Sequence, residues 1–507
     1  HFSNLIKVSE HVVVRRMAGA ALLSIAPMLT PDRRNEIAVE MSKALETGQA
    51  EISKYIPEYL GPFVLWLTPR ELDEVVVQMA SLLSSPNTDV VAAALAAVGA
   101  MLEHYAVYAA RFGEGDAFSR RGRRMAGLLL KGLADRREAV RQEALHILGG
   151  LFASSVLSYD EKTVLFTLIG KKLLFLITEQ PEEELTFFYT AASLSHIYRF
   201  IVLHKIQSGP FRFQIPEKAA FFPGTFDPFS LSHKGIVQAI RDLGFEVYLA
   251  VDEFSWSKKA QPSLIRRQIV SMSVADEFDV YLFPHDIPVN LATPADLDRL
   301  RQVFAGQELY LAVGSDVVAN ASSYRAPPSP GSVHSLNHIV FRRSSDAEGR
   351  EIDADLSCLK GDVLQLQLPT HLEDISSTRI RENIDLGRDI SNLIEPSVQD
   401  YIYRNSLYLR EPQYKQVIRA GHLRLAWAEP PAPSLWEELR ALAAADRRPV
   451  PEADPRDSAL LLRQTDSGGR LLGLLTLRTV NDRGLYESLG SEELADAVRC
   501  RTAGRIR

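Results

Sequence analysis

Six short apolar runs, separated by stretches with helical spacing, occupy the middle of the chain. In order they read AAFFPG, EVYLAVD, DVYLFP, LYLAVG, NHIVFRR and VLQLQLP, between Ala219 and Pro369. Apolar strands that alternate with helices predict a parallel sheet with helices on both of its faces. Ligands bind such sheets beyond the carboxyl ends of the strands. The middle of the chain is therefore predicted to be an α/β domain with its site at that edge.

The first part of the chain, residues 1–206, is predicted to be helical throughout. Apolar residues recur there at spacings of three and four, which is typical of amphipathic helices. Two segments share the pattern Ala-Leu-x-x-apolar-Gly, ending at Gly99 and at Gly149. Such repetition predicts stacked helical pairs, a HEAT-like α-solenoid whose concave face could hold a protein partner. The alternative from the same pattern is an irregular helical bundle.

Two further stretches complete the organisation. Residues 207–216 contain Gly209, Pro210 and Pro216 and are predicted to form a linker. Residues 420–507 have the pattern of a strand, a helix, a hairpin and a second helix, which predicts an α+β fragment. This order resembles the beginning of a GNAT acetyltransferase without its glycine-rich pyrophosphate loop. That resemblance implies an incomplete domain that acetylates nothing.

Composition narrows the class of protein. The chain has 507 residues, which is more than one hydrophobic core usually holds, and a net charge of -7, which argues against a general nucleic-acid binder. Its two cysteines, Cys358 and Cys500, suggest no disulfide framework and favour a reducing cytoplasm. The strongest candidate for a membrane span is residues 163–177, which is short and contains two lysines. We therefore expect a cytoplasmic protein with no membrane partner.

Two motifs predict phosphate binding. Residues 221–235 spell FFPGTFDPFSLSHKG, and residues 374–381 spell DISSTRIR. The first has the pattern of a strand, a glycine turn and the start of a helix; the second is a loop of hydroxyl residues before another helix. Helix N-termini present N–H groups and a positive dipole end to anions. Together the two motifs predict a site for a triphosphate.

These motifs resemble those of the nucleotidylyltransferase superfamily, which has a Rossmann-like fold. Its members carry a GTFDP-type strand end, an (H/T)xxH motif and a later ISSTxIR motif. The (H/T)xxH positions here are residues 230–233, with Ser230 in place of the first His or Thr. Residues 309–324 and 386–408 further resemble segments of the nicotinate/nicotinamide-mononucleotide adenylyltransferases. The resemblance covers residues 217–410.

The resemblance implies an enzyme that joins ATP to nicotinate or nicotinamide mononucleotide in NAD biosynthesis and releases pyrophosphate. Mg²⁺ would arrive with ATP, and His285 and His371 are interpreted as structural residues and not as metal ligands. Two alternatives stay open. One is a non-catalytic nucleotide sensor or scaffold that works through the helical repeats. The other is a different nucleotidylyl transfer, such as phosphopantetheine adenylylation.

Residue by residue, the resemblance assigns the chemistry to His233, Ser230 and Arg381. His233 would donate to the α-phosphate, Ser230 would hydrogen-bond a phosphate, and Arg381 would add a charged donor. Asp316 would contact the nucleotide ribose, and Tyr324 would stack on the pyridine ring. The remaining residues expected to bind the nucleotide are Gly224, Thr225, Phe226, Lys258, Gly314, Ile375, Ser376, Ser377 and Thr378. For Lys258, a solvated surface lysine is the alternative.

Overall fold

The structure is a computed structural model, and the chain divides into two compact units, His1–Leu409 and Arg410–Arg507. The residues that it describes are 1–49, 53–111, 120–179, 186–213, 215–252, 260–287, 289–341, 356–367, 369–373, 375–409, 423–428, 433–445, 457–464 and 471–478. Lys258 lies outside these ranges. So do the predicted hairpin turn at residues 467–469 and the predicted last helix of the chain.

The first unit begins with helices, as the apolar spacing predicts. Two of them start at capping boxes, in which Thr68 pairs with Glu71 and Ser158 with Glu161. Within the described residues the helices of this region are α1 Phe2–Val8, α2 Val12–Ile25, α3 Pro31–Glu46, α4 Ile56–Val64, α5 Pro69–Leu82, α6 Thr88–Arg111, α7 Arg120–Leu133, α8 Glu138–Ala153, α9 Tyr159–Thr178 and α10 Thr186–Ser208. We call residues 1–208 the helical region. The HEAT-like repeat stays a prediction.

Helix α6 has the length and composition of a membrane span. Its window Thr88–Ala109 has a mean hydropathy of 1.7, and 61% of that window is buried inside the protein. Among the described residues it is therefore a stronger span candidate than residues 163–177, which we expected to be the strongest. Packing within the helical region accounts for its apolar residues, since Tyr105 and Leu95 are fully buried there.

The predicted linker packs against the helices. Phe211 stacks on His204 with 3.7 Å between the ring centroids and lies 4.5 Å from the ring of Phe166. His204 in turn contacts the hydroxyl of Tyr159 at 2.7 Å. Phe211 thus anchors this connection to α9 and α10.

The middle of the chain forms a six-stranded sheet, and every pair of neighbouring strands is parallel. The strands are β1 Lys218–Gly224, β2 Phe245–Val251, β3 Val280–Leu282, β4 Glu308–Gly314, β5 Asn337–Phe341 and β6 Val363–Leu366. Their order is β3-β2-β1-β4-β5-β6. The chain direction across the sheet reverses between β1 and β4, which is where this type of sheet binds ligands. The predicted parallel sheet is confirmed.

Helices cover both faces of this sheet. Alternation along β4 shows the two faces: Tyr310 and Ala312 belong to one core, and Leu311 and Val313 to the other. The helices are α11 Leu231–Asp242, α12 Ser263–Ser273, α13 Pro294–Val303, α14 Ser315–Asn320, α15 Ser322–Arg325, α16 Thr370–Glu373, α17 Ser377–Asp385 and α18 Pro396–Arg404. We call residues 217–409 the central domain.

The helical region and the central domain pack against each other, and each contributes a residue to the other's core. Ala275, in the loop between α12 and β3, is buried in the core of the helical region. Conversely, Phe175 of α9 packs against the core of the sheet. The two predicted domains therefore lie in one compact unit.

The second unit is described in four segments. They are β7 Leu423–Ala428, α19 Pro433–Ala445, β8 Asp457–Gln464 and β9 Leu471–Arg478. The strands form an antiparallel sheet in the order β7-β8-β9. A strand, a helix and two antiparallel strands are the order that the sequence predicts for these residues, and the acetyltransferase resemblance stays a prediction.

Candidate functional site

The first motif turns sharply where β1 ends. A Cβ atom on Gly224 would lie 2.8 Å from the ring of Phe226, so any larger residue here would force that buried ring to move. Phe226 adopts a left-handed backbone conformation with φ of 45°, and its buried ring packs edge-on against His233 at 5.3 Å. The ring of Phe226 therefore supports the site from inside. Its expected contact with a phosphate can come only from the backbone N–H.

Ser230 caps helix α11 and holds the His233 ring. Its hydroxyl oxygen accepts a hydrogen bond from the backbone N–H of His233 at 3.3 Å. The backbone N–H of Ser230 donates to Nδ1 of His233 at 3.0 Å, and the Ser230 hydroxyl lies 2.9 Å from the same nitrogen. Because a backbone N–H can only donate, Nδ1 accepts and the neutral ring carries its proton on Nε2. The capping geometry thus assigns the tautomer of a buried histidine.

The second motif forms the start of helix α17. The hydroxyl of Ser376 caps this helix by accepting a hydrogen bond from the backbone N–H of Arg379 at 3.2 Å. Ile375, one residue earlier, is buried in the core of the sheet. Thr378 is exposed, and its hydroxyl accepts from Arg381 at 3.2 Å. The motif therefore places a capped helix N-terminus beside an arginine.

The structure brings the two motifs into direct contact. The hydroxyl of Ser377 donates to the backbone carbonyl of Pro228 at 2.9 Å, across 149 residues of sequence. Arg381 donates to the backbone carbonyl of Asp227, and its guanidinium lies 3.7 Å from the carboxylate of the same residue. A charged donor makes the stronger type of hydrogen bond. The N-termini of α11 and α17 are thereby tied to one turn.

Two further residues stabilise this turn and were missed in the sequence. Arg266 is almost fully buried and donates to three backbone carbonyls, those of Thr225 at 2.6 Å, Asp252 at 2.6 Å and Gln261 at 2.8 Å. Tyr408 donates to the buried carboxylate of Asp227 at 2.8 Å. Burial and the Asp227 carboxylate raise the pKa of the Tyr408 hydroxyl, so it stays protonated. Tyr408 ends the tail that carries the family resemblance, whereas no motif marks Arg266.

The strand next to β1 contributes the third part of the site. β4 ends at Gly314, and the helix that follows it carries Asp316. A Cβ atom on Gly314 would lie 2.2 Å from a carboxylate oxygen of Asp316, so any larger residue here would displace that carboxylate. Asp316 is half-buried. Since β1 and β4 are neighbours, this carboxylate lies at the same edge of the sheet as the first motif.

Tyr324 does not lie where a stacking residue should. Its ring is buried with 5% of its surface exposed, and it packs edge-on against His334 and His338. Its hydroxyl donates to Nε2 of His338 at 3.0 Å, because Nδ1 of that ring donates to the carbonyl of Leu336 at 2.8 Å. No face of the ring is available to a ligand. The expectation that Tyr324 stacks on a pyridine is therefore wrong.

The carboxylate of Asp227, which lies in the first motif, is already engaged by protein groups. Among the residues that the structure describes, no three His, Cys, Asp or Glu side chains are grouped to hold an ion. The carboxylate of Asp227 is engaged by Tyr408, by the backbone N–H of Gln261 and by Arg381. This donor set fits a substrate that carries its own Mg²⁺ on the phosphates.

Comparison with known proteins agrees with the motifs. Residues 221–383 match the family model described as Cytidylyltransferase-like. The chain is 24% identical over 201 residues to a probable nicotinate-nucleotide adenylyltransferase of Caldicellulosiruptor bescii, covering 38% of this chain and 100% of the relative. It is 27% identical over 220 residues to the corresponding protein of Chromobacterium violaceum, covering 38% and 98%.

Among solved structures, the chain is similar to Plasmodium falciparum nicotinic acid mononucleotide adenylyltransferase complexed with NaAD. The sequence identity is 19% and the TM-score is 0.32. The match covers 38% of this chain and 97% of that one.

Proposed function

We propose that this protein, whose central domain belongs to the cytidylyltransferase-like family, transfers the adenylyl group of ATP to nicotinate or nicotinamide mononucleotide. An oxygen of the mononucleotide phosphate forms a bond to the α-phosphorus of ATP. The bond between that phosphorus and the oxygen bridging to the β-phosphate breaks, and pyrophosphate leaves. The other product is the dinucleotide, so the reaction is a step in NAD biosynthesis.

The observation that carries this proposal is the contact between the two motifs. Ser377 and Arg381 bond the backbone carbonyls of Pro228 and Asp227, so the starts of α11 and α17 are held at one turn. Both helix starts present a positive dipole end to anions. A triphosphate has three anionic groups in a row and needs more than one such donor set. The relatives in the comparison act on nicotinate nucleotide by name, which supports the choice of acceptor.

The roles of individual residues follow from this arrangement. Transfer of this kind depends on positioning and on neutralising charge more than on covalent chemistry. His233, with its proton on Nε2, would donate to the α-phosphate as negative charge grows there. The backbone N–H groups of residues 376–378 and the guanidinium of Arg381 would hold the β- and γ-phosphates. Ser230, which we expected to hydrogen-bond a phosphate, is buried with its hydroxyl on His233, so it would act instead by capping α11 and by holding the His233 ring.

Further residues would hold the rest of the nucleotide. Gly224 and Gly314 let the backbone of both strand ends approach a ligand closely. The carboxylate of Asp316 would accept hydrogen bonds from the two ribose hydroxyls. When bound, Mg²⁺ would offset negative charge on the phosphates, and it would enter as the ATP complex.

The test is pyrophosphate release from ATP by the full chain, measured with nicotinate mononucleotide, nicotinamide mononucleotide or phosphopantetheine as acceptor. We expect release only with a pyridine mononucleotide, together with the matching dinucleotide in the chromatogram. Release with phosphopantetheine alone would reassign the acceptor. ATP binding without release for any acceptor would support the nucleotide sensor and overturn the proposal.

A further inference from the structure

Six charged side chains meet where the helical region contacts helix α11. Three are positive and three are negative, so the cluster as a whole is neutral. They are Lys131, Lys234, Arg241, Asp276, Glu277 and Glu395. We call them the junction cluster.

Lys234 is the centre of the junction cluster. Its ammonium lies 2.8 Å from Glu395, 3.0 Å from Asp276 and 3.5 Å from Glu277. Burial opposes its charge, yet the three carboxylates together raise the pKa of Lys234. Lys234 follows His233 directly in α11, so the cluster is attached to the first turn of that helix.

Lys131 is the one member that comes from the helical region. It lies on α7, and its ammonium is 2.9 Å from Glu395 and 3.7 Å from Asp276. Both carboxylates are also partners of Lys234. The helical region therefore shares two ion-pair partners with the residue that follows His233.

A second contact joins the same segments. The backbone N–H of Leu231, the first residue of α11, donates to the carbonyl of Leu393 at 2.9 Å. Leu393 precedes Glu395 by two residues, and Glu395 occupies the N-cap position of helix α18 without a side-chain capping bond. The segment 393–395 thus supports the start of α11 from one side, and Lys131 holds that segment through Glu395.

Charge balance explains why Lys131 matters to this arrangement. The side chain of Glu395 is 12% exposed, and that of Lys234 is 9% exposed. Burial by itself would raise the pKa of Glu395. Lys234 and Lys131 outweigh burial and hold that pKa below its usual value, so the carboxylate stays charged. Without Lys131, three carboxylates would share two cations in a partly buried site. Removing one partner from such a site leaves an uncompensated charge, and the neighbouring side chains and helix ends must move to relieve it.

We propose that Lys131 is a positioning residue for the transfer reaction, acting through Glu395 and Asp276 on the helix that carries His233. The inference rests on the proposed function. It gives the helical region a role in catalysis that a separate docking module would not have. It also implies that the helical region and the central domain work as one catalytic unit.

The experiment tests the positive charge at position 131 with substitutions that keep a side chain of similar length. Lys131→Met removes the ammonium, Lys131→Arg keeps a cation, and Arg121→Met is the matched control. Arg121 lies on the same helix, its side chain is 21% exposed against 22% for Lys131, and it pairs with Asp73 inside the helical region. All three variants are made in the full chain.

We expect Lys131→Met to lower kcat by roughly threefold to thirtyfold, the range found for couplings of this kind, with the KM for ATP unchanged. Lys131→Arg should keep the kcat of the parent. Arg121→Met should match the parent in kcat even where it lowers the melting temperature as much as Lys131→Met does. Equal kcat values for Lys131→Met and Arg121→Met would overturn the inference.

A second measurement separates this inference from the proposed function. The ring resonance of His233, assigned by its loss in His233→Gln, is recorded by NMR in the parent and in both methionine variants. Lys131→Met should shift that resonance and Arg121→Met should not. If the parent releases no pyrophosphate with any acceptor, the proposed function fails. The His233 resonance alone then decides whether Lys131 positions His233. An unshifted resonance would then show that Lys131 does not position His233.

Discussion

The hydroxyl of Ser377 donates a hydrogen bond to the backbone carbonyl of Pro228 across 2.9 Å. This contact joins the loop DISSTRIR to the turn GTFDP, 149 residues earlier in the chain. Arg381 reinforces it by bonding the carbonyl of Asp227. Two motifs that are predicted to bind phosphate and are far apart in sequence therefore lie together, and disturbing the link should affect both.

Arg381 offers the clearest test of that link. Arg381→Ala removes the bond to Asp227 and a charged donor from the predicted phosphate site. Hydrogen bonds to charged groups contribute about 1.5–3 kcal/mol, so kcat/KM should fall by roughly tenfold to a hundredfold. Arg379→Ala is the control, because Arg379 lies on the same helix and is exposed. Similar losses in both variants would show that a general change of helix charge, and not the link, matters.

Ser230 should act as a cap and as a support for His233. Ser230→Thr keeps a hydroxyl that can cap α11 and should change kcat little. Ser230→Ala loses the cap, which should cost about 0.5–2 kcal/mol of unfolding free energy and lower kcat as the His233 ring loses a partner. Thermal melts and pyrophosphate release measure the two effects. If Ser230→Ala kept the parent's kcat, the hydroxyl would have no part in holding His233.

Tyr324 should affect stability and not substrate binding. Tyr324→Phe removes the donor to His338 Nε2 and leaves a buried nitrogen without it. An unsatisfied buried group costs about 1–3 kcal/mol, so the melting temperature should fall while both KM values stay unchanged. Calorimetry and steady-state kinetics check this. A raised KM for the mononucleotide alone would return Tyr324 to the binding site.

Lys172 should make stability depend on pH at the contact between the helical region and the sheet. Its ammonium donates to the carbonyl of Val280 of β3, and burial lowers the pKa of Lys172 from 10.5 to about 7. Between pH 7 and 10 the unfolded chain therefore binds a proton that the folded chain does not. The unfolding free energy should rise with pH over this window, by at most about 1.4 kcal/mol per unit, and this dependence should end below pH 7.

Urea unfolding of the parent and of Lys172→Met at pH 7 and pH 9 isolates this contribution. The difference between the two proteins should shift in favour of the parent as the pH rises, since other titrating groups are common to both. An identical pH dependence in the two proteins would show that Lys172 keeps an ordinary pKa.

Much of the central fold could be predicted from the sequence because its strands are buried. All six apolar runs are strands, and the run AAFFPG corresponds to β1 at Lys218–Gly224. The order β3-β2-β1-β4-β5-β6 could not be read in the same way. Strand neighbours depend on long-range pairing, and apolar spacing describes only local structure.

For the candidate site, a motif in the sequence predicts some residues, and the folded structure adds others that no motif marks. The motifs name Ser377 and His233, but the bond from Ser377 to Pro228 depends on how distant segments fold together. Arg266 carries no motif, and its three carbonyl partners are brought together only by the folded turn. Tyr324 was misassigned because its offset from Asp316 does not tell which side of the short helix α15 its ring occupies.

The most direct test of the account is the rate of dinucleotide formation by His233→Ala, compared with the parent and with His285→Ala. His285 is an exposed histidine of the same domain and serves as the control. We predict that His233→Ala loses about a hundredfold or more in kcat, as expected for a lost donor to the transition state, while His285→Ala keeps the parent's rate. Circular dichroism should show all three folded. A folded His233→Ala protein as active as the parent would contradict the account.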